Sequence, residues 1–177
     1  MIVAVAQNNA IGDSHTNQLL WHLPEDLSRF YRLTKGHVVI MGNKTYQSLP
    51  NGKLPHRINL VLTHSPPADS LHQPLLEPTN SPVYFVTLDQ LSATLSHILE
   101  KKIFVIGGSS IYKLLFPFCS VIHYTLVDVE PVGDVLFPFS REELTHLSVT
   151  TIDSENETWQ TSTREGIRYR HITYHLK

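Results

Sequence analysis

Apolar residues fall along the chain in short blocks closed by glycine, proline or charge. Ile2–Ala6, Val38–Met41, Ile58–Leu62, Val83–Val86 and Ile103–Ile106 are nearly continuous runs, the pattern of strands buried on both faces. Val121–Val129 reads as a longer strand, broken by Pro131-Val132-Gly133-Asp134. The period then changes: Leu147–Ile152 and Ile167–Leu176 alternate, as antiparallel strands with one solvated face do. Helical stretches lie between the strands, at Trp21–Leu33, Asn43–Ser48, Thr87–Leu99 and Ile111–Phe116. Thr87 and Gln90 form a capping box at the start of the third, and Lys101-Lys102 suit the negative end of its dipole. The pattern predicts an α/β fold: a mixed, mostly parallel twisted sheet of about eight strands, flanking helices and an antiparallel C-terminal hairpin. Five prolines interrupt His64–Pro82, which reads as a long surface connection inside a single domain spanning 1–177. Asp13–Gln18 is polar and predicts a flexible loop before the first helix, placed to act as a lid.

The first helix carries an anomaly. Pro24 suits its first turn, where a missing N–H costs nothing. At about 100° per residue, Leu23, Leu27, Phe30 and Leu33 share one arc, and Glu25, Ser28, Arg29 and Arg32 the opposite one. Asp26 falls inside the apolar arc. A carboxylate there costs several kcal/mol unless paired or neutral. Two readings stand at this point: an acid favoured by the positive end of the helix dipole, or a buried ligand-binding acid.

Composition narrows the classes. A 177-residue chain with 41% hydrophobic and 17% charged residues is neither disordered nor membrane-spanning. A net charge of −2 argues against nucleic acid as an electrostatic partner. Met1–Ala6 is too short and lacks the basic lead-in of a secretory leader. Cys119 is alone, so no disulfide framework exists and a cytoplasmic location is expected. Eleven histidines invite a metal, but none sits in HExxH. His171 and His175 lie four apart on one face of a strand and are expected at the surface, so no metal site is assigned.

Chemistry gathers at the carboxyl ends of strands, where ligands bind in such sheets. Those ends carry Gly42-Asn43-Lys44-Thr45, Thr63-His64 and Gly107-Gly108-Ser109-Ser110. Helix N-termini and glycines let backbone N–H groups approach phosphates. The three turns predict a dinucleotide, leaving Asp26 for a cationic or amide-like ligand.

In this order, Ile11-Gly12, Trp21-x-Leu-Pro-x-Asp-Leu27, Phe30, Val39-Ile-Met-Gly42, Thr45, Ser48, Leu54-Pro-x-Arg57, Val105-Ile-Gly-Gly108, Tyr112, Thr125 and Phe137-Pro138 resemble the dihydrofolate reductase family. The resemblance implies NADPH-dependent reduction of 7,8-dihydrofolate to 5,6,7,8-tetrahydrofolate by a monomer, with antifolates as inhibitors. It implies that Asp26 binds the pterin's N3 and 2-amino group beside Thr125, with Trp21 near the reaction centre. Burial should raise the acid's pKa. Leu27, Phe30, Leu49 and Leu54 would then enclose the pterin and benzoyl rings, and Arg57 would bind the glutamate carboxylate. Ser48 joins the substrate side. Val3, Ala4, Ile106 and Tyr112 would line the nicotinamide and pterin pocket. The resemblance also makes Gly107-Gly108 a cis pair, and gives the phosphates to Gly42, Lys44, Thr45, Ser109 and Ser110. Ile11 and Leu19 belong to the lid, while Asn43, Leu62 and Ile111 complete the cofactor's surroundings. Asn43 and Ser110 stand where bacterial members often carry arginine. That leaves Lys44, Thr63 and His64 for the 2′-phosphate. Two alternatives are a same-fold pyrimidine reductase of riboflavin synthesis and a noncatalytic nucleotide-binding paralogue.

Overall fold

Each of two units is built on its own sheet: Met1–Phe30 with Tyr112–Lys177, and Tyr31–Ile111. The structure is a computed structural model and describes residues 1–16, 18–68, 81–98, 100–152 and 158–177. In chain order the first elements are β1 (Ile2–Ala6), β2 (Ala10–Gly12), α1 (Pro24–Thr34), β3 (Val38–Gly42), α2 (Asn43–Gln47), β4 (Ile58–Leu62) and β5 (Val83–Val86). Then come α3 (Leu88–Ser96), β6 (Ile103–Gly107), α4 (Ser109–Leu115) and β7 (Val121–Val127). The last are β8 (Val135–Leu136), α5 (Arg141–Leu147), β9 (Ser148–Ile152), β10 (Gln160–Thr161) and β11 (Arg168–Leu176).

The sheet of the Tyr31–Ile111 unit runs β5-β4-β3-β6 with every pair parallel. Val38, Val39, Met41, Leu60 and Val61 have no exposed surface. Burial on both faces explains the unbroken apolar runs, and each large side chain contributes about 1.5–3 kcal/mol. The β3–β6 register shifts between Ile40 and Met41, which sets Met41 opposite Gly107. Gly42 faces Leu62 on the other side. The turns after these three strands therefore leave one edge of one sheet, as predicted. Thr87 N donates to Gln90 Oε1 at 3.1 Å, completing the expected box at the start of α3. Leu99 and the centre of the proline-rich connection lie outside the described residues.

In the other unit β1 pairs parallel with β7, β7 antiparallel with β11, and β11 antiparallel with both β9 and β10. The C-terminal strands are antiparallel, as expected: β10 and β11 form a hairpin, and β9 also pairs with β11. The burial of β11 does not follow clean alternation. Just before the polar segment Asp13–Gln18, β2 pairs with β8, and within that segment Ser14 binds Asp134: its backbone N donates to Oδ1 at 2.7 Å and its hydroxyl to Oδ2. α5 was not foreseen, although Ser140 and Glu143 form a full capping box at its start. Among the described residues no helix is long and apolar enough to cross a membrane.

Candidate active site

Helix α1 presents its two acids to different partners. Glu25 lies on the arc read as solvent-facing, yet its carboxylate accepts from Thr163 N at 3.0 Å and from Ser162 Oγ at 3.1 Å. The Thr163 amide is the main reason its pKa is lowered. Asp26 turns to the sheet instead. Thr125 Oγ1 on β7 donates to Asp26 Oδ1 at 2.5 Å, and Thr125 itself is buried. The Asp26 side chain keeps 20% of its surface, but protein surrounds most of it. That desolvation raises its pKa, while the Thr125 bond and the charge of Arg29 pull it partly back.

A third residue completes this cluster. His171 stands opposite Thr125 in the β7–β11 register, with Nδ1 2.9 Å from Thr125 Oγ1 and 4.0 Å from Asp26 Oδ1. Its expected place at the surface is corrected: the side chain is only 13% exposed, because Asp26 of α1 lies over the sheet face from which it projects. Period-two alternation put His171 and His175 on one face, but could not say that α1 covers it at His171.

Of the predicted pocket residues of this unit, Ala4 and Tyr112 lie near the acid. Ala4 pairs with Thr125 and Val3 with Tyr124. Trp21 and Ala4 pack against the buried group of Leu23, Val127 and Tyr169. Tyr112 is buried and donates its hydroxyl to Ile2 O at 2.9 Å. Burial raises the Tyr112 pKa, with the Asp26 charge adding to the shift. Phe30 is half-buried, whereas Leu27 and Leu19 stand 44% and 56% exposed. An ordinary core helix would have covered Leu27. Ile11 lies on β2.

In the other unit, Gly42, Gly107 and Gly108 border the edge where β3 and β6 end. The Gly107–Gly108 peptide is cis and Gly107 has φ 111°, a conformation favouring glycine. A Cβ on Gly42 would sit 2.9 Å from Ile111 Cγ1. Helix α2 starts from Gly42 with no side-chain cap, so its first N–H groups are left for other acceptors. Asn43, Lys44 and Ser110 are exposed, and Thr45, Ile106 and Ser109 half-buried. At the end of β4, Leu62 is buried, Thr63 half-buried and His64 exposed.

Arg57 occupies a separate setting in the same unit. It is 3% exposed, which rules out a solvated surface arginine. Nε donates to Pro55 O at 2.8 Å and Nη1 to Thr34 Oγ1 at 3.1 Å. The guanidinium lies over the Tyr31 ring, 5.2 Å from its centre. Buried Asn59 binds the loop before it, accepting from Leu54 N at 2.9 Å and donating to Leu54 O and Arg57 O. Asn59 and Thr34 were missed; the sole sequence signal was an asparagine inside an apolar strand. Ser48 donates to Thr45 O at 2.7 Å. Leu49 and Leu54 are half-buried.

A shielded acid in one unit and a glycine-bordered parallel sheet edge in the other define, as a class, an α/β enzyme of the nucleotide-dependent kind. Comparison with known proteins is more specific: the family model for dihydrofolate reductase matches residues 1–175, and the chain belongs to that family of oxidoreductases. Dihydrofolate reductase of Buchnera aphidicola subsp. Schizaphis graminum is 35% identical over 139 residues, 78% of this chain and 77% of its own. The Mycobacterium tuberculosis H37Rv enzyme is 31% identical over 181 residues, 99% of this chain and 96% of its own. A solved structure, dihydrofolate reductase from Enterococcus faecalis complexed with NADP(H) and RAB-propyl, is similar with TM-score 0.73 and 25% identity. That similarity covers 99% of this chain and 94% of the other.

Proposed function

We propose that the chain reduces 7,8-dihydrofolate to 5,6,7,8-tetrahydrofolate with NADPH. The observation that carries this is Asp26: a carboxylate on the apolar arc of α1, held by Thr125, with its pKa raised by burial. The cradle suits a dinucleotide, since side chains are missing where Gly42 and Gly108 border the edge and α2 offers uncapped N–H groups. When bound, NADPH supplies the hydride that reaches the pterin's C6. Asp26 accepts hydrogen bonds from the pterin N3–H and 2-amino group and favours the tautomer that takes a solvent-derived proton at N5. Thr125 fixes the carboxylate's orientation, and burial raises the acid's pKa, which eases proton uptake.

Leu27 and Phe30 cover the pterin ring, which gives the open apolar arc of α1 a use. Leu49 and Leu54 serve the benzoyl ring and Ser48 the substrate side. Arg57 takes the glutamate carboxylate. Val3, Ala4, Ile106, Tyr112 and Trp21 border the reacting rings, with Ile11 and Leu19 on the lid. Gly42, Thr45, Gly107, Gly108, Ser109 and Ser110 hold the pyrophosphate, flanked by Asn43, Leu62 and Ile111. Lys44, Thr63 and His64 take the 2′-phosphate. The proposal includes one working domain over 1–177, a cytoplasmic monomer, inhibition by antifolates and no nucleic-acid partner, the last supported by the net charge of −2. Mixing the protein with NADPH and dihydrofolate and following the nicotinamide absorbance tests it. Oxidation that requires dihydrofolate is expected; NADPH binding without turnover would overturn the reading.

A further inference from the structure

Asp26 has a partner beyond the residue that holds it. Thr125 has one hydroxyl proton and two polar neighbours: Asp26 Oδ1 at 2.5 Å and His171 Nδ1 at 2.9 Å. With neutral His171 protonated on Nδ1 and Asp26 ionised, Nδ1 donates to Thr125, which donates to the carboxylate. One further proton fits without breaking either contact, in two arrangements: on Nε2 with that chain of bonds unchanged, or on Asp26, which then donates to Thr125, which donates to Nδ1. The two arrangements differ by a shift of two protons along one chain. In the first the pair is imidazolium and carboxylate; in the second it is neutral imidazole, protonated on Nε2, and carboxylic acid. Electrons and total protons are unchanged.

We propose that His171 is a positioning residue that shares a proton with Asp26 through the Thr125 hydroxyl, so that the acid is supplied from the sheet side. This rests on the role given to Asp26 above. A ring bound over Asp26 would cover its 20% open surface, while Thr125 and His171 meet the carboxylate from the strand side. The other charged or titratable groups facing the pair are Arg29 on α1, Tyr112 on α4, His123 on β7 and Tyr169 on β11, whose ring centre lies 5.3 Å from the imidazole. Strand β1 brings none. Burial raises the pKa of both tyrosines, so neither competes for the proton near neutral pH.

Two sites holding one proton release it at a higher pH than either alone. The alkaline limb of the pH–kcat profile should therefore move to lower pH in His171→Phe, by about one unit, with about tenfold loss on that limb. His171→Gln can donate to Thr125 but cannot titrate, and its limb should match that of His171→Phe. A limb left at the parent's position in His171→Gln would overturn the proposal, showing hydrogen bonding alone at work. The second readout needs no turnover: NMR titration of the His171 ring in the free protein. The ring should titrate at higher pH in the parent than in Asp26→Asn; equal titrations would overturn the sharing. A parent that fails to oxidise NADPH with dihydrofolate refutes the proposed function, and the titration then decides the proton sharing by itself.

Discussion

Asp26 and Arg57 are both charged side chains withdrawn from water, and the protein treats them in opposite ways. Asp26 meets a hydroxyl and an imidazole, groups whose protons can move, and desolvation lifts its pKa. Arg57 meets a carbonyl, a threonine hydroxyl and a ring face, none of which can exchange its charge away. Desolvation lowers the Arg57 pKa as well, but guanidinium starts so high that it stays charged. In the proposed reaction, the acid that changes protonation has responsive partners, and the cation assigned to a carboxylate has a fixed seat.

Breaking the first half of this contrast should have the largest effect. Asp26→Asn should lower turnover at neutral pH by about 10²–10⁴-fold, measured as dihydrofolate-dependent NADPH oxidation. An unchanged rate would remove Asp26 from the reaction. The same variant should melt at a higher temperature. The folded pKa lies above the ordinary carboxylate value of 3.8, so the native state holds the proton more tightly and stability falls as pH rises through that interval. The gain in Asn should grow as pH rises above 3.8, level off once the folded acid has ionised, and vanish well below 3.8, where both states are protonated.

Arg57→Ala comes next. It should raise the Michaelis constant for dihydrofolate about ten- to a hundredfold, the loss of one charge-assisted contact, while sparing a pteridine without the glutamate tail. Equal loss with both substrates would show that the buried arginine serves only the fold. Thr34→Val sharpens the comparison with the smallest change. Losing the bond to Nη1 should weaken dihydrofolate about two- to tenfold, with kcat held; a fall in kcat instead would mean that the Arg57 seat reaches the chemistry.

Legibility in the sequence followed the range of the interactions. The strands of the parallel sheet were readable because double burial leaves unbroken apolar runs. Asp26 was readable because one carboxylate violated its helix's own period. His171 and Thr34 were not, since each acts on a partner brought near by pairing or packing: His171 and Thr125 are 46 residues apart, and Thr34 and Arg57 are 23 apart. Asn59 acts locally, on Leu54 and Arg57, but its place inside an apolar run did not name those partners. β2 and β8 are three and two residues long, too short for any period. α5 is different: its Ser140–Glu143 box was in plain view, but no apolar period drew attention to it.

The open apolar surface at Leu27 on α1 and at Leu19 before it has a calorimetric consequence. Leu27 and Leu19 leave 44% and 56% of their surfaces in water, and water ordered around apolar groups raises heat capacity. A ligand that covers them should bind with a negative heat-capacity change, so its binding enthalpy becomes more favourable on warming. Titration calorimetry with a folate analogue at several temperatures should show that slope, and Leu27→Ala should flatten it.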